Sequence, residues 1–94
     1  MDGSITIDNL KKILEPRINL IDIRSNTAYK LGHIPYAKNI SKNELMFNTS
    51  SYLKKNTPYY IYCSKGVQSR GLVNYLIKQG YNVKSVLGGY SSYR

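Results

Sequence analysis

The single cysteine of this 94-residue chain stands in the run Tyr62-Cys63-Ser64-Lys65-Gly66-Val67-Gln68-Ser69-Arg70. A thiol that ends a strand and precedes a helix faces the partial positive charge of the helix N-terminus. The unpaired amides there can converge on an anion. Both effects favour thiolate over thiol and lower the pKa from a free value of about 8.5. Lys65 and Arg70 add positive charge, and Gly66 permits a backbone conformation that a Cβ would obstruct, so the loop can curl its amides inward. The chemistry implied is a nucleophilic thiolate in an anion-binding cradle. The competing reading is a small apolar filler, since free Cys is among the most buried residue types. With Ser64, Lys65, Gly66, Gln68 and Ser69 around it, Cys63 reads as the reactive group.

The elements that must hold this turn are legible on both sides of it. Tyr59-Tyr60-Ile61-Tyr62 is a strand signal of aromatic and branched residues. From Ser69 the pattern is helical, with Leu72, Val73, Leu76 and Ile77 on one face, Lys78 in the last turn and Gly80 just past the end. Residues 82–87 supply a last strand, broken by Gly88-Gly89 before a short tail at 90–93. In the first half, Ser4-Ile5-Thr6-Ile7 is a β-branched run and Asp8 is the expected N-cap of a helix over 9–14, stopped by Pro16. Residues 18–23 read as a strand buried on both faces. Asn26 is the expected cap of a helical turn closed by a left-handed Gly32, and Pro35 holds His33-Ile34 extended. A short strand follows at 37–40, then a helix capped by Ser41 with Glu44 at the capping-box spacing. Strands alternating with helices at this spacing predict an α/β fold: one small open parallel sheet of about five strands with helices on both faces. In such sheets ligands bind beyond the carboxyl ends of the strands, where Cys63 lies.

Length and charge bound the rest. Ninety-four residues make one domain, 1–94. Fourteen Lys and Arg against five Asp and Glu give a formal charge of +9. The lysines are scattered rather than clustered, which argues for a solvated surface that attracts small anions, not a nucleic-acid footprint. One Cys excludes an internal disulfide, and Cys63 with His33 is too few for a structural zinc site. No apolar run reaches the ~20 residues that span a bilayer, and Met1-Asp2-Gly3-Ser4 lacks the character of a secretory signal. The expectation is a cytoplasmic domain whose thiol stays reduced, with no membrane or nucleic-acid partner.

Four segments together resemble the single-domain rhodanese family, the thiosulfate sulfurtransferases. Leu20-Ile21-Asp22-Ile23-Arg24 is similar to a buried strand ending in Asp-x-Arg, and Gly32-His33-Ile34-Pro35-Tyr36-Ala37 to a Gly-His-Ile-Pro-Gly-Ala segment, with Tyr36 where Gly is usual. Cys63-Ser64-Lys65-Gly66-Val67-Gln68 corresponds to the six-residue active-site loop, and Leu87-Gly88-Gly89 to a closing Gly-Gly motif. The resemblance implies that Cys63 takes the outer sulfur of thiosulfate, forms a persulfide, and passes the sulfur to cyanide, a thiol or a protein acceptor. No metal or organic cofactor is implied. Many members carry Arg at the sixth loop position, where this chain has Gln68. Oxyanion binding would then lean on Lys65 and on Arg70, which either reaches the anion or points to solvent.

Asp22 and Arg24 are expected to hold neighbouring loops through an ion pair or backbone hydrogen bonds, with Arg24 at the rim of the anion site as the lesser reading. His33 is expected to shape its turn rather than to couple with Cys63. Two other functions fit parts of the pattern. One is a non-catalytic anion- or protein-binding module. The other is a Cys-dependent phosphatase or arsenate reductase, against which stand the missing Cys-x5-Arg spacing and a loop too tight for phosphate.

Overall fold

The computed structural model describes residues 3–94; Met1 and Asp2, on which the expected lack of a secretory signal partly rests, lie outside the described residues. Along the chain come β1 (Ser4–Ile5), α1 (Ile7–Ile13), β2 (Leu20–Asp22), α2 (Asn26–Leu31), β3 (Lys38–Asn39), α3 (Lys42–Phe47), α4 (Thr49–Tyr52), β4 (Tyr59–Tyr62), α5 (Val67–Lys78), β5 (Val83–Val86) and α6 (Gly89–Tyr93). The five strands line up as β1-β5-β4-β2-β3, and each neighbouring pair is parallel. β4, which delivers Cys63, is the central strand.

Successive strand side chains point to opposite faces, and this alternation sorts the core into two layers. On one face Ile21, Ile23, Tyr59, Ile61, Cys63 and Val83 pack with Leu45 of α3 and Leu72, Val73 and Leu76 of α5. On the other, Leu20, Tyr62 and Val86 pack with Leu10 of α1, Ile34 and Ala37, backed by Tyr29, Tyr90 and Tyr93. The expected parallel sheet with helices on both faces is therefore present. The tyrosines of β4 fill core, as aromatic rings do when their hydroxyls find partners. The fully buried Tyr62 accepts a hydrogen bond from Ile34 N at 3.0 Å, and the Tyr59 hydroxyl accepts one from Lys54 N at 2.8 Å.

Several local expectations are corrected. Thr6, not Asp8, caps α1: its hydroxyl accepts from Asn9 N at 3.1 Å, and Asp8 falls in the first turn. Ser25, not Asn26, caps α2, accepting from Ala28 N at 3.1 Å. Gly32 closes α2 with extended backbone (φ 163°), not in the left-handed region. Ser41 caps α3 through Glu44 N as its spacing predicts. The tail at 90–93 is helical, and α5 starts two residues before Ser69, at Val67. Tyr36 takes φ +74°, a left-handed conformation that L side chains adopt at a cost and that explains why glycine suits its position. Among the described residues no helix is long and apolar enough to cross a membrane.

Candidate active site

β4 ends at Tyr62, and the chain turns sharply through Gly66 (φ +93°), the N-cap of α5. This turn places the Cys63 sulfur where the helix leaves its first amides unpaired. Gly66 N donates to Sγ at 3.1 Å and Ser69 N at 3.3 Å, while Ser69 Oγ lies 3.5 Å away. Burial pushes the thiol pKa up. The Ser69 hydroxyl and the amides of Ser69, Gly66 and Lys65 outweigh it, so Cys63 titrates below its ordinary value. Hydrogen bonds to the charged form favour that form.

The loop keeps its curl because α6 grips it from behind. Tyr90 N donates to the Cys63 carbonyl and Ser91 N to the Ser64 carbonyl, each at 2.9 Å. In a planar trans peptide the N–H points opposite to the C=O. Fixing those two carbonyls on α6 therefore turns the amides of Ser64 and Lys65 toward the sulfur side. So close an approach requires glycines. Gly89 has φ +60°, and a Cβ there would run into the Cys63 carbonyl oxygen and stand 2.8 Å from the Ser64 carbonyl. A Cβ on Gly66 would stand 3.0 Å from Gly88 N. Beyond its likeness to a closing motif, Gly88-Gly89 reads in the sequence only as a strand break. Its role as a buttress for residues 25 positions earlier depends on the fold.

In front of the sulfur lies a hollow of about 420 Å³ lined by Ile23, Arg24, Ser25, Ala28, Cys63, Ser64, Lys65, Val67 and Gln68. Arg24 and Lys65 are its charged walls, and among the described residues no carboxylate lines it. Lys65, Gln68, Ser64 and Val67 thus face the hollow, while Gly66 and Ser69 hold the sulfur from behind. Arg70 is exposed on α5 and lines neither this hollow nor the neighbouring one that shares Arg24, Ser64 and Lys65. Five residues after Cys63 comes Ser69, turned inward onto the thiol.

Asp22 and Arg24 form a built strut. Asp22 is fully buried; Arg24 Nε reaches both its carboxylate oxygens at 3.1 Å and Nη2 reaches Oδ2 at 2.8 Å. Nη2 also donates to the Gly32 carbonyl at 2.6 Å, and the guanidinium lies 4.1 Å from the Tyr90 ring centroid. The strut ties the end of β2 to the end of α2 and to α6, and its outer edge forms a wall of the hollow. His33 is exposed and stacks on Tyr29 at 3.8 Å, with Nδ1 2.8 Å from the Tyr29 carbonyl. It lines neither hollow. Among the described residues no group of three or more His, Cys, Asp or Glu is placed to hold a metal ion.

The rhodanese-like domain model matches residues 6–94. The chain is 30% identical to the thiosulfate sulfurtransferase GlpE of Tolumonas auensis over 92 residues, covering 96% of this chain and 86% of that one. Among solved structures it is similar to SSP1007 of Staphylococcus saprophyticus (TM-score 0.87, 32% identity, 99% of this chain and 94% of that one). It is also similar to a rhodanese-like domain protein of Staphylococcus aureus (TM-score 0.86, 34% identity, 99% and 92%). The strand–loop–helix that presents Cys63 is thus part of a fold shared over its whole length, and the chain belongs to the rhodanese-like family.

Proposed function

We propose that this domain is a sulfurtransferase that carries a sulfane sulfur from thiosulfate on Cys63. The observation that carries the reading is the Cys63 sulfur itself, held by two amides and facing a cationic hollow. In the first half-reaction the thiolate attacks the outer sulfur of thiosulfate. The Sγ–S bond forms, the S–S bond to the sulfonate sulfur breaks, and sulfite leaves with the bonding pair. The enzyme persulfide carries the one negative charge that the thiolate brought. In the second, cyanide or an acceptor thiolate attacks the outer sulfur of the persulfide and regenerates the Cys63 thiolate. This is two-step nucleophilic catalysis. The preset amides stabilise the anion at each stage without reorganising, and Lys65 and Arg24 draw the anionic donor in.

With one cysteine in the chain, any second thiol in the cycle must come from the acceptor. No metal or organic cofactor enters these steps, and the partners are a small anionic donor and a thiol, cyanide or protein acceptor. A cytoplasmic setting, where free thiols stay reduced, suits them. Sulfite release from thiosulfate in the presence of cyanide tests the reading: the native chain releases it and Cys63→Ser does not. Equal release from both would overturn it.

A further inference from the structure

We propose that Ser85 is a positioning residue for the Cys63 nucleophile, acting through the Ser69 hydroxyl. Ser85 lies on β5 two residues after Val83, so it shares the sheet face that packs against α5. Its backbone is anchored by a hydrogen bond from Ser85 N to the Gly3 carbonyl at 2.7 Å. Both serines are buried, at 1% and 0% exposure, and their hydroxyl oxygens are 2.7 Å apart. Among the described residues, Ser69 Oγ is the sole hydrogen-bond partner of Ser85 Oγ.

Counting protons decides the direction of the pair. Each hydroxyl has one hydrogen. If Ser69 donated to Ser85, the Ser85 hydrogen would be buried with no acceptor among the described residues, a costly state for a polar group. Ser85 therefore donates to Ser69; the protonated Cys63 Sγ donates to Ser69 Oγ at 3.5 Å, and the Ser69 hydrogen goes to the Gly66 carbonyl at 3.4 Å. When the sulfur is a thiolate, the charged acceptor takes it. A hydroxyl that accepts one hydrogen bond is polarised into a better donor for the next. Ser85 thus aims and strengthens a hydrogen bond to the sulfur without touching it. The charged groups on the thiol side are Lys65 from the loop and Arg24 from the end of β2, with Asp22 bound behind Arg24. From α5, Ser69 meets the sulfur through its amide and hydroxyl, and Val67 and Gln68 line the hollow; α2 presents Ala28, and β5 presents this neutral serine.

The inference rests on Cys63 being the nucleophile, but its test needs no sulfur donor, so failure of transfer and failure of this inference are separable. The rate of iodoacetamide alkylation is measured against pH for the full chain, Ser85→Ala, Ser69→Ala and the double variant. Ser85→Ala should raise the midpoint and slow alkylation below it by about two- to fivefold. Ser69→Ala should slow it further, and the double variant should match Ser69→Ala. Ser85→Thr, which restores a hydroxyl, should keep the native midpoint. An unmoved midpoint in Ser85→Ala, or a Ser85 effect that persists in the Ser69→Ala background, would overturn the inference. So would a Ser85→Thr midpoint as high as that of Ser85→Ala.

Discussion

Gly89→Ala sets the buttress behind the loop against its own alternative. At φ +60° an alanine costs about 1–2 kcal/mol relative to its preferred regions. Less backbone freedom in the unfolded chain returns about 0.4–1 kcal/mol. The larger effect is the collision of the new Cβ with the Cys63 carbonyl oxygen and the Ser64 carbonyl, both backbone and unable to swing away. Relief requires α6 to withdraw, breaking the bonds from Tyr90 N and Ser91 N, each worth about 0.5–1.5 kcal/mol. The sum is a loss of about 1–5 kcal/mol, and at about 4–8 °C per kcal/mol for a domain of this size it lowers Tm by some tens of degrees at most and about 4 °C at least. The freed carbonyls would let the Ser64 and Lys65 amides turn from the sulfur, so alkylation of Cys63 at neutral pH should slow as well. Gly71→Ala is the matched control. It lies exposed in α5 with nothing within 4 Å of an added Cβ, and the same substitution there should stabilise by about 0.5–1 kcal/mol. Urea unfolding and iodoacetamide rates on both variants read the two effects. A Gly89→Ala protein as stable and as reactive as the native chain would refute the buttress.

Three further outcomes follow from the same geometry. Tyr36→Gly relieves a left-handed tyrosine whose ring is half exposed and should gain about 0.5–1 kcal/mol in urea unfolding; a loss would show that the ring anchors the turn. Arg24→Met leaves the fully buried Asp22 carboxylate without its cation and should cost about 3 kcal/mol by urea unfolding, with part of the loss recovered in Arg24→Met combined with Asp22→Leu. A loss confined to a few tenths would contradict the strut. Because Cys63 titrates lower folded than its ordinary value of 9.0, the unfolded chain holds that proton over the interval between the two. Stability should therefore rise with pH from the folded midpoint up to the unfolded value of 9.0 and be lost as pH falls through that midpoint. Cys63→Ser should lack this component; a native curve with the opposite slope, after subtraction of the Cys63→Ser curve, would contradict it.

Periodicity carries the strands and α5 because their burial is periodic: Tyr59-Tyr60-Ile61-Tyr62 alternates between the two cores, and Leu72, Val73 and Leu76 share the face that covers the sheet. Caps are harder to read. Thr6 sits inside a β-branched run, so strand propensity masks its capping hydroxyl, and Ser25 is masked by the better-placed-looking Asn26. The short α6 has almost no apolar signal of its own; it is held by Cys63 and Ser64 carbonyls contributed from far back in the chain. The cradle shows the same division. The residue types around Cys63 announce a reactive thiol, whereas the hollow excludes Arg70 and includes Arg24, because α5 turns its second-turn cation outward and the Asp22 pair fixes the other inward. Ser85 is invisible in the sequence, since a serine in an alternating strand reads as a solvent-facing position until β5 is known to lie beside α5.

The most direct test of Cys63 as a sulfur carrier is the intact mass of the protein after incubation with thiosulfate. Gain of one sulfur atom, removed by added thiol and absent in Cys63→Ser, is the predicted result. A chain whose mass does not change, or an adduct that survives the Cys63→Ser substitution, would contradict it.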